Sequence, residues 1–586
     1  MKLNDIRRFG APRLDATSWI RFAATALLLS LAAHGRPAEA GAIVVGSGGD
    51  CTVPTIREAI QRANGFGGYN LILVTDDVPF GVYPENLLLQ NLREDLVLEL
   101  VGGYADCTTL APTAFGKASI YGGDFNRPTL RLRGHVNATF RGFWMQSGTG
   151  EGDHGGGGID FQGYGSLTLE SVRVAESNAL GFYGSGIHVD GQMGTAALTL
   201  NGRVEVTDQH SGGSSGVAIE GTSVLLMRGD GNSIRGNTGA GIHVNAPAVA
   251  DIGATGTVLS GNGFGIMVND RFGNGGNALA RLYSIDPASP LRISGNQDGA
   301  IFARSEDSTP ASNRICTRNV LLQNNRGIPI RADGRQSHID VNPDANDVCG
   351  FPSAAAITCP ATSPCNRISH NAAAPDLPLV FARADASIAL NRILLDNNSA
   401  TSLLSTNLGT AASTASITMT NSLVLYNTLR DNLFEALNGG IVDIWDSTIA
   451  GNGGAFSISL VGSDPTLFQV TNSIIDQPQA LIYHSNGPVE TTHLNRVLAR
   501  NRVNAQATDD VVVGQPEFRD AYGRLAPDSL GVDYAPAGGG SDFDGNPRDV
   551  DTGNLPNQHG PRDLGAFESQ VATLDVIFAD GFEALP

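Results

Sequence analysis

The sequence predicts an all-β chain, a right-handed parallel β-helix (β-solenoid) with a short N-terminal capping helix. Three observations lead there. First, a phrase recurs in which an apolar pair, a small residue and Asn precede Gly and a short apolar strand. It reads SIRGNTGAGIHV from Ser233, VLSGNGFGIMV from Val258, RISGNQDGAIFA from Arg292, LLQNNRGIPIRA from Leu321 and TIAGNGGAFSIS from Thr448, with a looser copy, RVAESNALGFYGSGIHV, from Arg173. The aligned glycines Gly158, Gly186, Gly216, Gly241, Gly265, Gly299 and Gly327 lie 24 to 34 residues apart, a period that signals stacked supersecondary units. Second, apolar residues beside each phrase alternate: Ile242 and Val244, Ile266 and Val268, Ile328 and Ile330. A period of two in β-branched residues means strand. Third, glycine supplies 73 of 586 residues and clusters with Asn and Ser at the corners, where positive φ is tolerated. Stacked coils bring Asn over Asn, so these asparagines read as a corner ladder of side-chain amides.

Residues 1–40 read as a signal peptide. Lys2, Arg7, Arg8, Arg13 and Arg21 form a long basic start, FAATALLLSLAA at 22–33 an apolar core too short to span a bilayer comfortably, and Ala38-Glu39-Ala40 an A-x-A cleavage site. General secretion fits better than twin-arginine export, because the residues around Arg7 and Arg8 match the latter poorly. No later stretch reads as a membrane helix. The mature protein is expected outside the cell or at its outer surface, as a monomer.

Cysteine usage agrees with export. Cys51, Cys107, Cys316, Cys349, Cys359 and Cys365 are disulfide candidates, with Cys51 and Cys107 expected to pair across the first coils. The other four surround an irregular insertion at 333–377. They lack C-x-x-C spacing and well-placed histidines, so bridges are favoured over a metal site. Between Cys51 and Cys107, Thr55 and Glu58 form a capping box. Ile56, Ala59, Ile60 and Ala63 fall on one helical face, and Gly65 sits where a C′ glycine belongs. Such a helix would cover the open end of the first coil.

The net charge of −20 makes nucleic acid an unsuitable partner. With charged residues at 16% and apolar ones at 41%, the chain is folded rather than disordered. Lysine occurs only at positions 2 and 117, which genome composition explains without a function.

Three groups of residues invite chemistry. Asp542, Asp544, Asn546, Asp549 and Asp551 surround Gly545 as a calcium loop would, but no bidentate Glu follows. A turn whose carboxylates accept from backbone N–H groups, with Arg548 and Arg562 as partners, is the simpler expectation. Glu151, Asp153, His154 and Asp160 flank the glycines at 155–158. Convergent carboxylates there would resemble a glycan-cleaving site, although the glycines suggest a mobile loop. Paired-Asp and Gly-His-Gly elements like those of polygalacturonases are absent. His188 and His243 share the contexts GSGIHVDG and GAGIHVNA. With Ile187 and Val189 inward, they are expected to point outward, solvated and two coils apart, too far to share a metal. No catalytic, cofactor-binding or metal residue is therefore assigned, and no cofactor is expected beyond the calcium candidate.

Residues 41–535 thus form the β-helix. CTVPTIREAIQRAN from Cys51, LVLELVGGYADC from Leu96 and the Asn/Gly repeats resemble right-handed β-helix proteins of bacterial envelopes. GGGI at Gly156 and NGGI at Asn438 weakly resemble repeats of polymorphic outer-membrane proteins. The elements at 542–548 and 563–568, within the module at 536–569, are similar to the choice-of-anchor Q domain. The tail at 570–586, with IFADGFE from Ile577, resembles short tails of secreted gammaproteobacterial proteins. The hydrophilic end does not resemble an autotransporter's membrane barrel. These resemblances imply architecture and export more than an activity; the lack of a recognised acid–base constellation favours a non-enzymatic, adhesin-like or glycan-contacting scaffold whose partner is an extracellular glycan or the envelope surface. The alternative is a β-helix polysaccharide lyase or glycoside hydrolase. Its acidic cleft and aromatic sugar platforms are not evident in a chain with three Trp and scattered aromatics.

Overall fold

A computed structural model describes residues 42–570, except 112, 114–115, 124–126, 151–154, 179–185, 210–213, 271–275, 306–311, 344–348, 353–365, 408–413, 455, 462–465, 478–482, 486–489, 502–509 and 553–555. The leader, nearly all of the tail, Glu151, Asp153, His154, Cys359 and Cys365 lie outside the described residues.

Among the described residues forty strands join one continuous sheet, and each pairs in parallel with strands of neighbouring coils. The chain traverses three ladders per coil. One coil comprises Ile242–Asn245, Val249–Ile252 and Val258–Ser260. These pair forward with Phe264–Asn269, Ala278–Tyr283 and Leu291–Ser294 of the next. Parallel pairing needs a crossover, and here the other two ladders supply it. The result is an all-β solenoid.

Among the described residues a single α-helix, α1 (Ile56–Phe66), lies near the start. The Thr55 hydroxyl accepts from the Glu58 N–H at 3.2 Å, and the Glu85 carboxylate accepts from the N–H groups of Ile56 and Arg57. That carboxylate satisfies donors the helix leaves open and sits at its positive pole. Ile56, Ala59, Ile60 and Ala63 are buried. The helix runs past Gly65 and ends at Gly67, where φ is 69°.

The first ladder carries the features that matter for function. Nine of its consecutive strands are β1 (Leu130–Arg141), β2 (Ile159–Glu170), β3 (Ile187–Asn201), β4 (Val217–Arg228), β5 (Ile242–Asn245), β6 (Phe264–Asn269), β7 (Gly299–Arg304), β8 (Ile330–Asp333) and β9 (Val380–Arg383). The longer ones, β1 to β4, continue round a corner into the second ladder. Two inward columns run through all nine. Leu130, Ile159, Ile187, Val217, Ile242, Ile266, Ile301, Ile330 and Val380 stack in register. Leu132, Phe161, Val189, Ile219, Val244, Val268, Ala303, Ala332 and Ala382 form the second, and every member of both is buried.

The register corrects the glycine alignment. Gly158, Gly186, Gly216, Gly241 and Gly265 each precede the first inward residue, but the column continues through Ala300 and Pro329 rather than Gly299 and Gly327. A Cβ at Gly241 would stand 2.7 Å from the Gly265 carbonyl oxygen, so this corner brings backbones together.

The asparagines form the ladder expected from the repeat, and it is longer. Asn237, Asn262, Asn296, Asn325, Asn371, Asn398, Asn427 and Asn452 are linked, each Nδ2 donating to the next Oδ1 at 2.8–3.2 Å. Each accepting Oδ1 also takes the backbone N–H of the preceding Asn. From Asn262 on, the amide also donates to a strand carbonyl of the previous coil, such as Ile234 O for Asn262 and Leu259 O for Asn296. All eight are buried. The residue before each is left-handed: Gly236, Gly261, Gly295 and Gly451, but also Asn324, His370, Asn397 and Tyr426, with φ of 53–67° across the eight.

Cys51 is joined to Cys107 and Cys316 to Cys349. The last strand is Asp510–Val513. The described residues of 514–569 add only isolated bridges and lie against the outer face of the third ladder. There Phe518, Tyr522, Phe543 and Phe567 cover Leu394, Leu423, Leu425 and Ala450. Leu525, Val532, Tyr534 and Leu564 cover Ile474 and Leu498 in the same way. No described helix is long and apolar enough to cross a membrane.

Two outcomes follow. Asn325→Ala strands two buried donors of Asn296, each costing about 1–3 kcal/mol. The denaturant midpoint should therefore fall sharply at unchanged circular dichroism. Removing the Cys51–Cys107 bridge, which closes a 56-residue separation, should cost about 4 kcal/mol by loop entropy. Melting of a Cys51→Ser, Cys107→Ser double variant measures it.

Candidate functional site

Outward residues alternate with the inward columns and stack in two rows along the first ladder. The first row reads Arg131, Asp160, His188, Ala218, His243, Met267, Phe302, Arg331 and Phe381. Two residues further along each strand, Arg133, Gln162, Asp190 and Glu220 begin the second row. Asn245 and Asn269 stand opposite each other on β5 and β6. Arg304, Asp333 and Arg383 do so on β7, β8 and β9.

The early coils bury this face. His188 points outward, as strand alternation requires, but it is 1% exposed rather than solvated, and His243 is 2% exposed. The segment at 155–158 is also buried and lies against β3 instead of swinging free. A Cβ on Gly156 would come within 2.8 Å of the His188 backbone nitrogen, so only glycine passes that close. His243 stands two coils from His188, with Ala218 between them in register.

Burial forces His188 to find partners. Its Nδ1 meets Asp160 Oδ1 at 3.0 Å and its Nε2 meets Glu220 Oε1 at 2.8 Å. Arg133 Nη2 donates to Asp160 Oδ2 at 2.7 Å, and Asn245 Nδ2 to Glu220 Oε2 at 3.4 Å. Two carboxylates thus bracket one imidazole, and an arginine closes one end. Burial alone would lower the imidazole's pKa, but the hydrogen bonds it donates to Asp160 and Glu220, with their charge, raise it to about 9. Burial would raise Asp160, and the His188 and Arg133 contacts outweigh it, holding the carboxyl below its ordinary value. The group is a charge-balanced chain of Arg⁺, Asp⁻, His⁺ and Glu⁻ across β1 to β4. Of the four residues flanking the glycines at 155–158, only Asp160 is described, and it is committed to this chain.

The face changes character in the later coils. Phe264 packs on Phe302 with ring centroids 5.1 Å apart. The Arg331 guanidinium lies over the Phe302 ring at 4.8 Å and pairs with Asp333 at 2.9 Å. Phe381 follows Arg331 in register, and Arg304 and Arg383 are exposed beside this strip. Aromatics scattered in the sequence are gathered here. Aligning the inward residues of FGIMV, AIFA, IRA and VFA would have placed Met267, Phe302, Arg331 and Phe381 in one row. Insertions of unequal length between coils hid it.

The acidic cluster near the C-terminus is consumed by structure. Asp542 accepts from the Asn546 and Glu568 N–H groups, and Asp544 pairs with Arg524. Asp549 accepts from the Gly538 N–H and pairs with Arg562 at 2.9 Å. Asp551 accepts from the Asn557 amide. These carboxylates hold turns instead of converging on one point. Arg548 is buried, with its guanidinium on Asn421 Oδ1 and the Gly565 carbonyl. Glu568 is buried beside Asp563, and that burial pushes its carboxyl up to about 8.

Comparison of the chain with protein-family models and with curated proteins found no match.

Both perturbed groups make alkali destabilising. The folded pKa of His188 exceeds its ordinary 6.5, so its contribution is complete below pH 6.5 and disappears as pH rises through about 9. Glu568 acts in the same direction between 4.5 and about 8. In a Glu568→Gln background, the melting temperature should fall mainly between pH 6.5 and 9. His188→Leu, which strands two carboxylates, should lose about 3–5 kcal/mol and abolish that part of the pH dependence.

Proposed function

We propose that this chain is a secreted or cell-surface, right-handed β-helix that contacts an extracellular glycan without cleaving it, with α1 capping its first coil. The carrying observation is the strip of Met267, Phe302, Arg331 and Phe381 on four successive coils of one face, flanked by Phe264, with Phe264, Met267 and Phe381 half-buried at the surface over the buried Phe302. Apolar ring faces beside arginines suit sugar rings and their hydroxyl or carboxylate groups. A repeating surface suits a repeating polymer. Two disulfides fit an oxidising, extracellular setting. The resemblance of 536–569 to the choice-of-anchor Q domain supports retention at the envelope.

The non-enzymatic reading rests on the acids. Glycoside cleavage uses two carboxylates flanking an open cleft. Asp160 and Glu220 instead grip one imidazole, and Asp160 is 1% exposed. The acidic chain and the aromatic strip also follow one another along the face rather than opposing each other across a groove.

A panel of neutral and acidic polysaccharides, assayed with mature protein, tests the reading. At least one polymer should bind. Joint substitution Phe264→Ala and Phe381→Ala, the two half-buried rings of the strip, should weaken it about tenfold or more, as loss of aromatic stacking does, with the far-ultraviolet spectrum unchanged. Binding unaffected by that pair defeats the assignment of the face. New reducing or unsaturated ends, lost in Asp160→Asn, would establish the enzyme instead.

A further inference from the structure

The strip on the later coils is bordered unevenly. At the corner before β7, β8 and β9, exposed charges of both signs mix, with Asp298 and Arg326 on adjacent coils and Asp376 paired to Arg430 at 2.6 Å. The second row and the corner after it carry Arg304, Arg335 and Arg383, all exposed. The carboxylates on that side are already engaged. Asp333 pairs with Arg331 at 2.9 Å, and Asp385 accepts from the Thr414 N–H with Arg335 4.0 Å away. Asp270 is buried and accepts from the Ser305 hydroxyl at 3.1 Å. Among the described residues, every exposed charge along this border is therefore an arginine.

Spacing decides the form of the ligand. Arg304 on β7 and Arg383 on β9 are in register through Asp333 on β8. Two strand spacings, about 9–10 Å, part their backbones. Asp333 stands between them and repels an anion placed at the midpoint, so each arginine takes its own anionic group. Two such groups at that separation belong to a chain of charged residues rather than to one sugar. We infer that the strip takes an acidic polysaccharide lying along the solenoid axis. Its ring faces rest on Phe264 and Phe381, and its carboxylate or sulfate groups meet the guanidinium forks of Arg304 and Arg383. This inference rests on the glycan reading and names the chemical class of the ligand. The net charge of −20 does not forbid it. At physiological ionic strength the screening length is about 8 Å, so the border arginines act on the polymer and distant carboxylates do not.

Calorimetric titration of the mature, disulfide-bonded protein tests it. The probes are polygalacturonate, alginate and dextran sulfate, a neutral glucan, and poly-glutamate, which supplies the charge without the rings. At about 0.15 M NaCl the tightest acidic polysaccharide should bind about tenfold better than either the glucan or poly-glutamate. Raising NaCl to about 1 M, where the screening length falls to about 3 Å, should weaken it about tenfold. Arg383→Gln should weaken it in part, and Arg304→Gln with Arg383→Gln about tenfold, with circular dichroism excluding variants that fail to fold. Free galacturonate should not compete. A glucan that binds as tightly as the acidic polymers leaves the glycan reading standing and overturns this inference. Equal binding of poly-glutamate, or acidic binding indifferent to the double variant, overturns it as well. If no polysaccharide binds, both fall together.

Discussion

Everything in this molecule depends on the register between coils, and the buried asparagine ladder is what holds it. Each Oδ1 from Asn262 onward accepts both the backbone N–H and the side-chain amide of the Asn one coil earlier. A slip of one residue would break both bonds and leave buried polar groups without partners. It would also turn each inward column out to solvent, since side chains alternate along a strand. The corner therefore fixes the strands, the strands fix the inward columns, and the outward rows follow. No functional side chain on this face is positioned by a long flexible loop.

The outward rows show how much one face of a regular scaffold can vary. In the early coils it is covered, and charges there must cancel in place, which the Arg133–Asp160–His188–Glu220 chain does. In the later coils it opens in part: Met267, Arg331 and Phe381 are half-buried and Arg304 and Arg383 exposed, while Phe302 stays buried under Arg331. The inward side compensates. Where Phe302, Arg331 and Phe381 stand outside, the second inward column shrinks to Ala303, Ala332 and Ala382. Bulk moves from the core to the surface within the same three strands.

Much of this was legible in the sequence, and the losses have physical causes. The repeat gave the coil because glycine before the ladder Asn is the easiest left-handed residue. Asn371, Asn398 and Asn427 escaped notice because His370, Asn397 and Tyr426 take that conformation instead. Strand alternation placed His188 outward but could not show what would cover it. The glycines at 155–158 read as flexible because glycine serves both looseness and close approach, and only the His188 backbone beside Gly156 separates the two. The aromatic strip was invisible because its members are separated by insertions of unequal length, so proximity in space had no counterpart in spacing.

The module at 514–569 grips the solenoid broadside. Its apolar contacts run from Leu394 through Leu423 and Ala450 to Ile474 and Leu498, one coil after another, and Arg548 and Ala566 add polar ties to Asn421 and Thr448. A tether attached beyond Gln570 would therefore load five coils together in shear. It could not peel the terminal coil strand by strand, as a pull on a bare end would. For a protein held to a surface in moving fluid, such a joint resists force along the axis far better than the last coil alone.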